Sequence, residues 1–456
     1  MSLREKYIGD RSFYKRMFTI MLPILLQNVI TNFVSLLDNV MVGRIGTEQM
    51  SGVAIMNQLL FVYNLVIFGG IAGPGIYCAQ YYGKGDTEGV KNTMRAKLWV
   101  AFAAFAVFGA AFLLRGEELM SLFIHEGEDN IDLAATLGYG LEYLRVIFFQ
   151  MPLFALINVY ASTMRETDDT RTPMIASICA VAVNLTFNWI LIYGKLGAPA
   201  LGVTGAAVAT VLSRVVELTI LVIKSRKQFS GVFRTLKVPG ELAKNVAVKG
   251  APLMFNELMW STGMTTMIQV MSLKGIEVVS AENIANTVSN LFFCSFFAMG
   301  STVSIVVGQL LGAGLLERAV DEDRKLIAFS VLFSAAVGVV MIVCAPFIPN
   351  IYNTTDMVKS LAAGFIVVNA IMMPANAFTN SAFFTLRSGG RVWITMLYDS
   401  VYLWIIAIPV TKLLVTFSNL DVTTIYGISY YIDIIKCIFG YILLRRRTWV
   451  NNLVSD

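Results

Sequence analysis

Twelve stretches of the chain are apolar over a length that can cross a bilayer, at about residues 17–43, 52–79, 93–114, 139–163, 173–194, 200–223, 250–273, 283–311, 322–347, 360–385, 392–417 and 422–444. Roughly 20 consecutive apolar residues let a helix span about 30 Å of hydrocarbon, so each stretch predicts a transmembrane helix. The connections are short, and no hydrophilic stretch is long enough for a soluble domain. The pattern therefore predicts an all-α integral membrane protein whose first partner is the lipid bilayer.

The first stretch, MFTIMLPILLQNVITNFVSLLDNVMVGRIG, is interrupted by Pro23, Gln27, Asn28, Asn32, Asp38 and Asn39. A carboxylate costs about 2.5–3.5 kcal/mol at the centre of an inserted helix, so Asp38 is expected to face a wet cavity or a partner. It stands about five residues, roughly 8 Å, from the end of the span, so contact with interfacial water is the alternative reading.

The pattern then repeats. Pro23 and Pro252 are 229 residues apart, and the same offset pairs Gly46 with Gly275, Glu48 with Glu277, Ser51 with Ser280 and Asn57 with Asn286. It continues through Gln80 with Gln309, Gly83 with Gly312, Gly85 with Gly314, Glu88 with Glu317 and Arg95 with Arg324. Further on, an offset of 222 pairs Pro152 with Pro374, Asn158 with Asn380 and Arg165 with Arg387. Each half holds six helices, an even number, so both enter the membrane from the same side and are related by a pseudo-twofold axis along the membrane normal. The expected organisation is a six-helix lobe over 1–224, a polar linker over 225–248 containing Pro239, and a second six-helix lobe over 249–456, with a cavity between the lobes. Pro23, Pro252, Pro152 and Pro374 each remove a backbone hydrogen bond from a span; they are read either as helix-bending sites for moving parts or as packing features.

Charge fixes an orientation. Alternate connections are basic: Lys84, Lys91, Arg95 and Lys97; Arg165 and Arg171; Lys224 through Lys249; Arg318, Arg324 and Lys325; Arg387 and Arg391; Arg445 to Arg447. The other connections carry one or two basic residues each, Arg44 among them, and by the positive-inside rule both termini are cytoplasmic and His125 is external. A multi-pass protein of the cell membrane follows. The basic start, with Arg4, Lys6, Arg11, Lys15 and Arg16, is followed by an apolar run too long and polar-studded for a cleaved signal, so it is expected to remain as the first span.

Composition agrees, with 56% hydrophobic and 14% charged residues and a mean hydropathy of +0.68. The net charge of +5 is explained by orientation, and nucleic acid is not an expected partner. The five cysteines sit in apolar segments without ligand or disulfide spacing and are read as small hydrophobes. One histidine without company is a poor metal site. No nucleophile, acid–base pair or phosphate loop suggests an enzyme.

Taken together, LPILLQNVITNFVSLLDNVMVGRIG in the first span, AQYYGKG echoed by VGQLLGAG, NLTFNWILIYG followed by LGVTGAAVAT, and APLMFNELMW opening the second half resemble the multidrug and toxic compound extrusion (MATE) transporters over essentially the whole chain. The resemblance implies cation-coupled antiport of amphipathic, often cationic, compounds by alternating access. It implies cation coupling at Asp38, with Asn184 on the fifth span and Thr210 on the sixth beside it. Where many relatives carry a second acid, this chain has Asn188. In the second half Glu257 follows Pro252 by five residues, whereas some sodium-coupled relatives place an acid where Trp260 stands. The tenth span offers Asn369, Asn376 and Asn380 but no acid. Gln27, Asn28, Asn32, Glu257, Trp260 and Asn376 are the expected substrate-cavity residues.

Glu257 lies about eight residues, roughly 12 Å, inside its span and needs a partner or a proton; substrate contact and pairing with Arg145 or Arg214 are both open. Arg214 with Glu217, Glu142 with Arg145, and Asp433 with Lys436 stand at helical i,i+3 spacing and are expected to neutralise one another. Asp399 has no local partner. A sodium ion needs several hard oxygens with enough negative charge, and here Asp38 is the one nearby anion, so sodium is expected to bind weakly. A proton asks less, since a desolvated carboxylate favours its neutral form; protons are the expected coupling ion, with no cofactor and no bound metal. One charge moving through about 100 mV releases roughly 2.3 kcal/mol, enough for about a fortyfold substrate gradient. The chain is expected to act as a monomer on small amphipathic organic substrates. The rival within the fold class is a lipid-linked saccharide flippase.

Overall fold

A computed structural model describes residues 3–43, 45–121 and 133–455. His125 and Arg44 lie outside the described residues. Every regular element among the described residues is helical: α1 Leu3–Tyr7, α2 Arg11–Gly43, α3 Thr47–Lys84, α4 Thr87–Ser121, α5 Leu133–Ile147, α6 Gln150–Glu166, α7 Arg171–Tyr193, α8 Gly202–Ser225, α9 Gly240–Ser272, α10 Ile276–Gly312, α11 Leu316–Cys344, α12 Asp356–Ser388, α13 Val392–Met396, α14 Ile408–Phe417, α15 Val422–Tyr431 and α16 Ile434–Arg445. Backbone polar groups find no partners in lipid, which leaves helices as the economical way for these sequences to cross.

Among the described residues, ten helical spans are long and apolar enough to cross a membrane, and the bent pair α5–α6 makes an eleventh. The twelfth expected span is α9, whose length of 33 residues suffices but whose Asn256, Glu257, Thr262, Thr265 and Gln269 lower its hydropathy. Several helices outrun their apolar stretches. α3 has 38 residues, about 57 Å at 1.5 Å per residue, so its ends project beyond about 30 Å of hydrocarbon. Arg95 and Lys97, read from the sequence as loop cations, are for this reason helical residues of α4 and are buried. Lys97 Nζ donates to Glu166 Oε2 at 2.5 Å, Ser162 Oγ at 2.9 Å and Thr163 Oγ1 at 3.2 Å.

The fourth predicted span is broken. α5 and α6 meet at an angle of 50° across Phe148 and Phe149, and because Pro152 has no N–H the Phe148 carbonyl accepts from the Met151 N–H at 3.1 Å instead. Its repeat partner Pro374 instead sits inside the continuous α12. Pro374 frees the Ala370 carbonyl, and Gly338 on α11 meets it: a Cβ there would come 2.7 Å from that oxygen. Pro74 similarly frees the Gly70 carbonyl on α3, faced by Gly250 on α9, where a Cβ would lie 3.7 Å away. Small residues let helix backbones approach where lipid removes the hydrophobic drive to associate.

The chain forms two compact units. The first comprises Met1–Leu25, Ala79–Asp86 and Phe255–Asp456; the second comprises Leu26–Cys78 and Thr87–Met254. The chain passes between units at Leu25–Leu26 and at Met254–Phe255, 229 residues apart, in each case two residues after Pro23 or Pro252. Inside the first unit, Ile284, Val288, Phe365, Ile366, Met373 and Tyr426 form the centre of one core, with the Phe365 and Tyr426 rings stacked at 4.0 Å. A second core joins Met17, Ile20 and Met21 of α2 to Val303, Val307 and Leu311 of α10. In the second unit Tyr63 is buried on α3, and its hydroxyl donates to the Met151 carbonyl at 2.9 Å.

Candidate functional site

In the second unit, α7 carries Asn184 and Asn188 one turn apart, so both amides project from one face. The following GVTGAAVAT of α8 explains how close its neighbour comes. Gly205, Ala206, Ala207 and Ala209 are buried small residues, and a Cβ on Gly205 would come 2.6 Å from the Leu191 carbonyl oxygen. α2 is pinned to the same face, since Tyr193 Oη donates to the Met41 carbonyl at 3.0 Å.

These constraints bring Asp38, Asn184, Asn188 and Thr210 together. Asn188 Nδ2 donates to Asp38 Oδ1 at 2.7 Å. With the Asn184 amide assigned so that its nitrogen faces the acid and not its oxygen, that nitrogen stands 2.9 Å from Oδ1 and 3.2 Å from Oδ2. Thr210 Oγ1 lies 3.3 Å from the Asn184 amide and donates to the Ala206 carbonyl at 3.0 Å. Asn188 is 2% exposed, and its Oδ1 is a buried acceptor to which nothing donates among the described residues. The cation acting on Asp38 from further away is Arg214, itself paired with Glu217 at 2.7 Å. Tyr143 of α5, buried, also feels the Asp38 charge. The carboxylate is therefore held by neutral amides, an arrangement that steadies its charge without cancelling it.

The other expected residues divide between the units. Gln27, Asn28 and Asn32 are in the second, the first two half-buried and Asn32 exposed. Glu257, Trp260 and Asn376 are in the first, with Glu257 and Asn376 half-buried and Trp260 at 36% exposure. Within its own unit, the charges acting on Glu257 are those of Arg387 and Asp399. Glu142, expected to pair with Arg145, accepts instead from the hydroxyl of Thr204.

Sequence reasoning missed a second polar cluster, in the first unit. Asp399, without a neighbour at helical spacing, accepts from Asn256 Nδ2 at 3.2 Å and lies 3.9 Å from Lys436 Nζ. The same ammonium is 3.5 Å from Asp433 Oδ2 and 4.9 Å from the centre of the Tyr402 ring. Ser400 Oγ donates to Asn256 Oδ1 at 2.7 Å. Asp399 and Ser400 lie on Leu397–Val401, which is π-helical, as is Leu403–Ala407. The wider turn changes which side chains share a face, so helical spacing alone did not locate the cluster. One signal was present: the offset of 229 pairs Gln27 with Asn256 and Asn28 with Glu257.

The repeat and the fold have counterparts among known proteins. The MatE family model matches the chain twice, over residues 23–190 and 252–413. The chain is 26% identical over 411 residues to the probable multidrug resistance protein NorM of Thermotoga maritima, covering 89% of this chain and 86% of that protein. It is 26% identical over 447 residues to the probable multidrug resistance protein YoeA of Bacillus subtilis, covering 94% and 93%. Among solved structures, the crystal structure of MATE in complex with MaL6 superposes with a TM-score of 0.86 at 18% identity, covering 97% of each chain, and shares the fold.

Proposed function

Since the chain belongs to the MatE family, the multidrug and toxic compound extrusion transporters, we propose that it is a cation-coupled antiporter. It exports amphipathic, cationic organic compounds across the cell membrane by alternating access, with both termini in the cytoplasm and residues 1–224 and 249–456 as the transporting lobes. The relatives named as multidrug resistance proteins support the substrate class. The observation that carries the reading is the Asp38 cluster, an intramembrane acid with two amide donors and no bonded cation among the described residues. Such an acid changes charge when a cation arrives, which is what coupling needs.

Protons are the coupling ion in this proposal. Asn188 presents its amide nitrogen to Asp38, so it would have to turn its oxygen inward before it could serve as a sodium ligand. A proton needs no such rearrangement. It neutralises the acceptor, loosens the amide contacts and changes the balance between the two access states. The flippase reading is less well supported, because Arg214, an intramembrane cation that could hold a diphosphate, is already bonded to Glu217 at 2.7 Å.

Purified protein in liposomes, loaded with a fluorescent organic cation, is the test. Movement of the dye should follow an imposed pH gradient with the membrane potential clamped. Strong drive by a sodium gradient at equal internal and external pH would overturn the assignment of the ion, and no drive by either gradient would overturn antiport itself.

A further inference from the structure

After α16 the chain turns back at Arg447, whose φ is +53°, and folds into the first unit. Trp449 is 1% exposed and joins the core that holds Met17 and Leu311. Gly389 makes room for it, since a Cβ there would overlap the Trp449 carbonyl. Arg391 Nε donates to the Thr448 carbonyl at 2.7 Å, and Arg447 Nη1 pairs with Glu317 at 3.1 Å. These contacts fasten the segment to the second half of the sequence.

It is also fastened to the first half. Gln80, fully buried near the end of α3, accepts from the Leu453 N–H at 2.7 Å and donates to the carbonyls of Ser388 at 2.9 Å and Asn451 at 3.3 Å. Lys84 Nζ donates to the Val454 carbonyl at 2.8 Å. The stretch Ala79–Asp86 thus belongs to the first unit although the rest of α3 belongs to the second.

What the segment holds together is a repeat-related crossing. A Cβ on Gly83 would overlap the Gln309 carbonyl, a Cβ on Gly312 would overlap the Gln80 carbonyl, and a Cβ on Gly308 would come 2.9 Å from Ala79 Cβ. The first two contacts are images of each other at the offset of 229 and the third joins a position to its own counterpart, so the end of α3 and the end of α10 cross as near-equivalents through small residues one turn apart. Their two glutamines are nevertheless treated differently. Gln309 Oε1 accepts from Arg16 Nη2 at 2.7 Å, whereas the offset places Asn245 where a matching arginine for Gln80 would stand. The segment after α16 takes that place.

We propose that residues 446–455 are a clasp that holds the end of α3 against the end of α10, and that release of Gln80 from Leu453 accompanies opening of this end of the transporter. The inference rests on the alternating-access reading, and it assigns Gln80 a positioning role outside any substrate or ion site. The test uses spin labels at exposed Tyr82 and Leu315, in full-length protein with its native cysteines replaced, and reads the distance between them in lipid nanodiscs. Gln80→Leu and Leu453→Pro delete the same hydrogen bond from its two ends, and the second change lies outside every helix. Leu453→Pro should raise the long-distance population about three- to tenfold, the effect of losing one buried bond, Gln80→Leu, which also removes the bonds to Ser388 and Asn451, by at least as much, and the double variant should shift it no further than Gln80→Leu alone. An unchanged ratio in both variants, or additive shifts, would overturn the clasp. If the unmodified protein shows both distances and moves between them on acidification, an unchanged ratio in the variants removes the clasp and leaves alternating access standing. If it shows a single distance at neutral and at acidic pH, with and without substrate, alternating access fails and the clasp with it.

Discussion

Among the described residues, Asp38 in the second unit accepts from amides, whereas Asp399 in the first accepts from one amide, Asn256, and faces a buried ammonium, Lys436. Both acids lie on helical segments that cross the membrane, and both are far in sequence from their partners. The difference is in what happens when a cation arrives. At Asp38 an incoming proton meets an uncompensated charge, so occupancy changes the net charge of the site. At Asp399 the lysine is a tethered cation already in place, so an incoming one must compete with it. Under the proposed mechanism, an intramembrane acid couples only where its neighbours leave its charge open.

The largest expected effect is at the open acid. Asp38→Asn should leave the protein folded and inserted but reduce the gradient-driven accumulation ratio from the roughly fortyfold available at about 100 mV toward unity. Wild-type accumulation in proteoliposomes would break the comparison at its centre. Next comes Asn188→Asp, which places a second carboxylate where an amide now donates at 2.7 Å. Two acids at that distance share a proton or recruit a cation, so sodium-driven transport at equal pH should rise several-fold; a response identical to that of the unmodified protein would show that charge at this position does not select the ion.

For the closed acid, Lys436→Met should act on stability more than on ion dependence. It leaves Asp399 and Asp433 facing each other without their shared cation, and because both carboxylates are about a third exposed the cost should be about 1–2 kcal/mol, below that of a fully buried pair. Thermal melting in detergent should fall by a few degrees, and Lys436→Arg should restore most of it. A shift from proton to sodium dependence with unchanged melting would assign this cluster to coupling after all. The smallest effect is expected at Glu257→Gln: export of monovalent cations should weaken about twofold to fivefold relative to neutral substrates, since a carboxylate in a low dielectric attracts the former. Equal losses for both, measured side by side with expression level, would give Glu257 a structural role beside Arg387.

Much of this molecule was legible in its sequence because lipid imposes a simple rule. Apolar length marks a span, and the offset of 229 that carries Pro23 onto Pro252 also carries the first of four passages between compact units onto the last. The Asp38 cluster was legible for a local reason: Asn184 and Asn188 are one turn apart, and the small residues around Gly205 announce a close helix. What escaped was set by geometry that leaves no period behind. The 50° break between α5 and α6 and the π-helical turns around Asp399 re-aim side chains without changing composition. Asn256 meets Asp399 across 143 residues, a distance at which spacing carries no signal.

The Lys97–Glu166 pair has a consequence for how the protein is made. Its members are 69 residues apart, so at roughly 5–20 residues per second a ribosome completes Glu166 about 3–14 seconds after Lys97. During that interval Lys97, near the cytoplasmic end of the apolar stretch of α4, has no carboxylate to receive it and keeps its ammonium in interfacial water. The packing of α4 against α6 is therefore expected to wait for Glu166. Amine-reactive labelling read at Lys97 by mass spectrometry should succeed in nascent chains halted before Glu166 and fail in chains halted well beyond it.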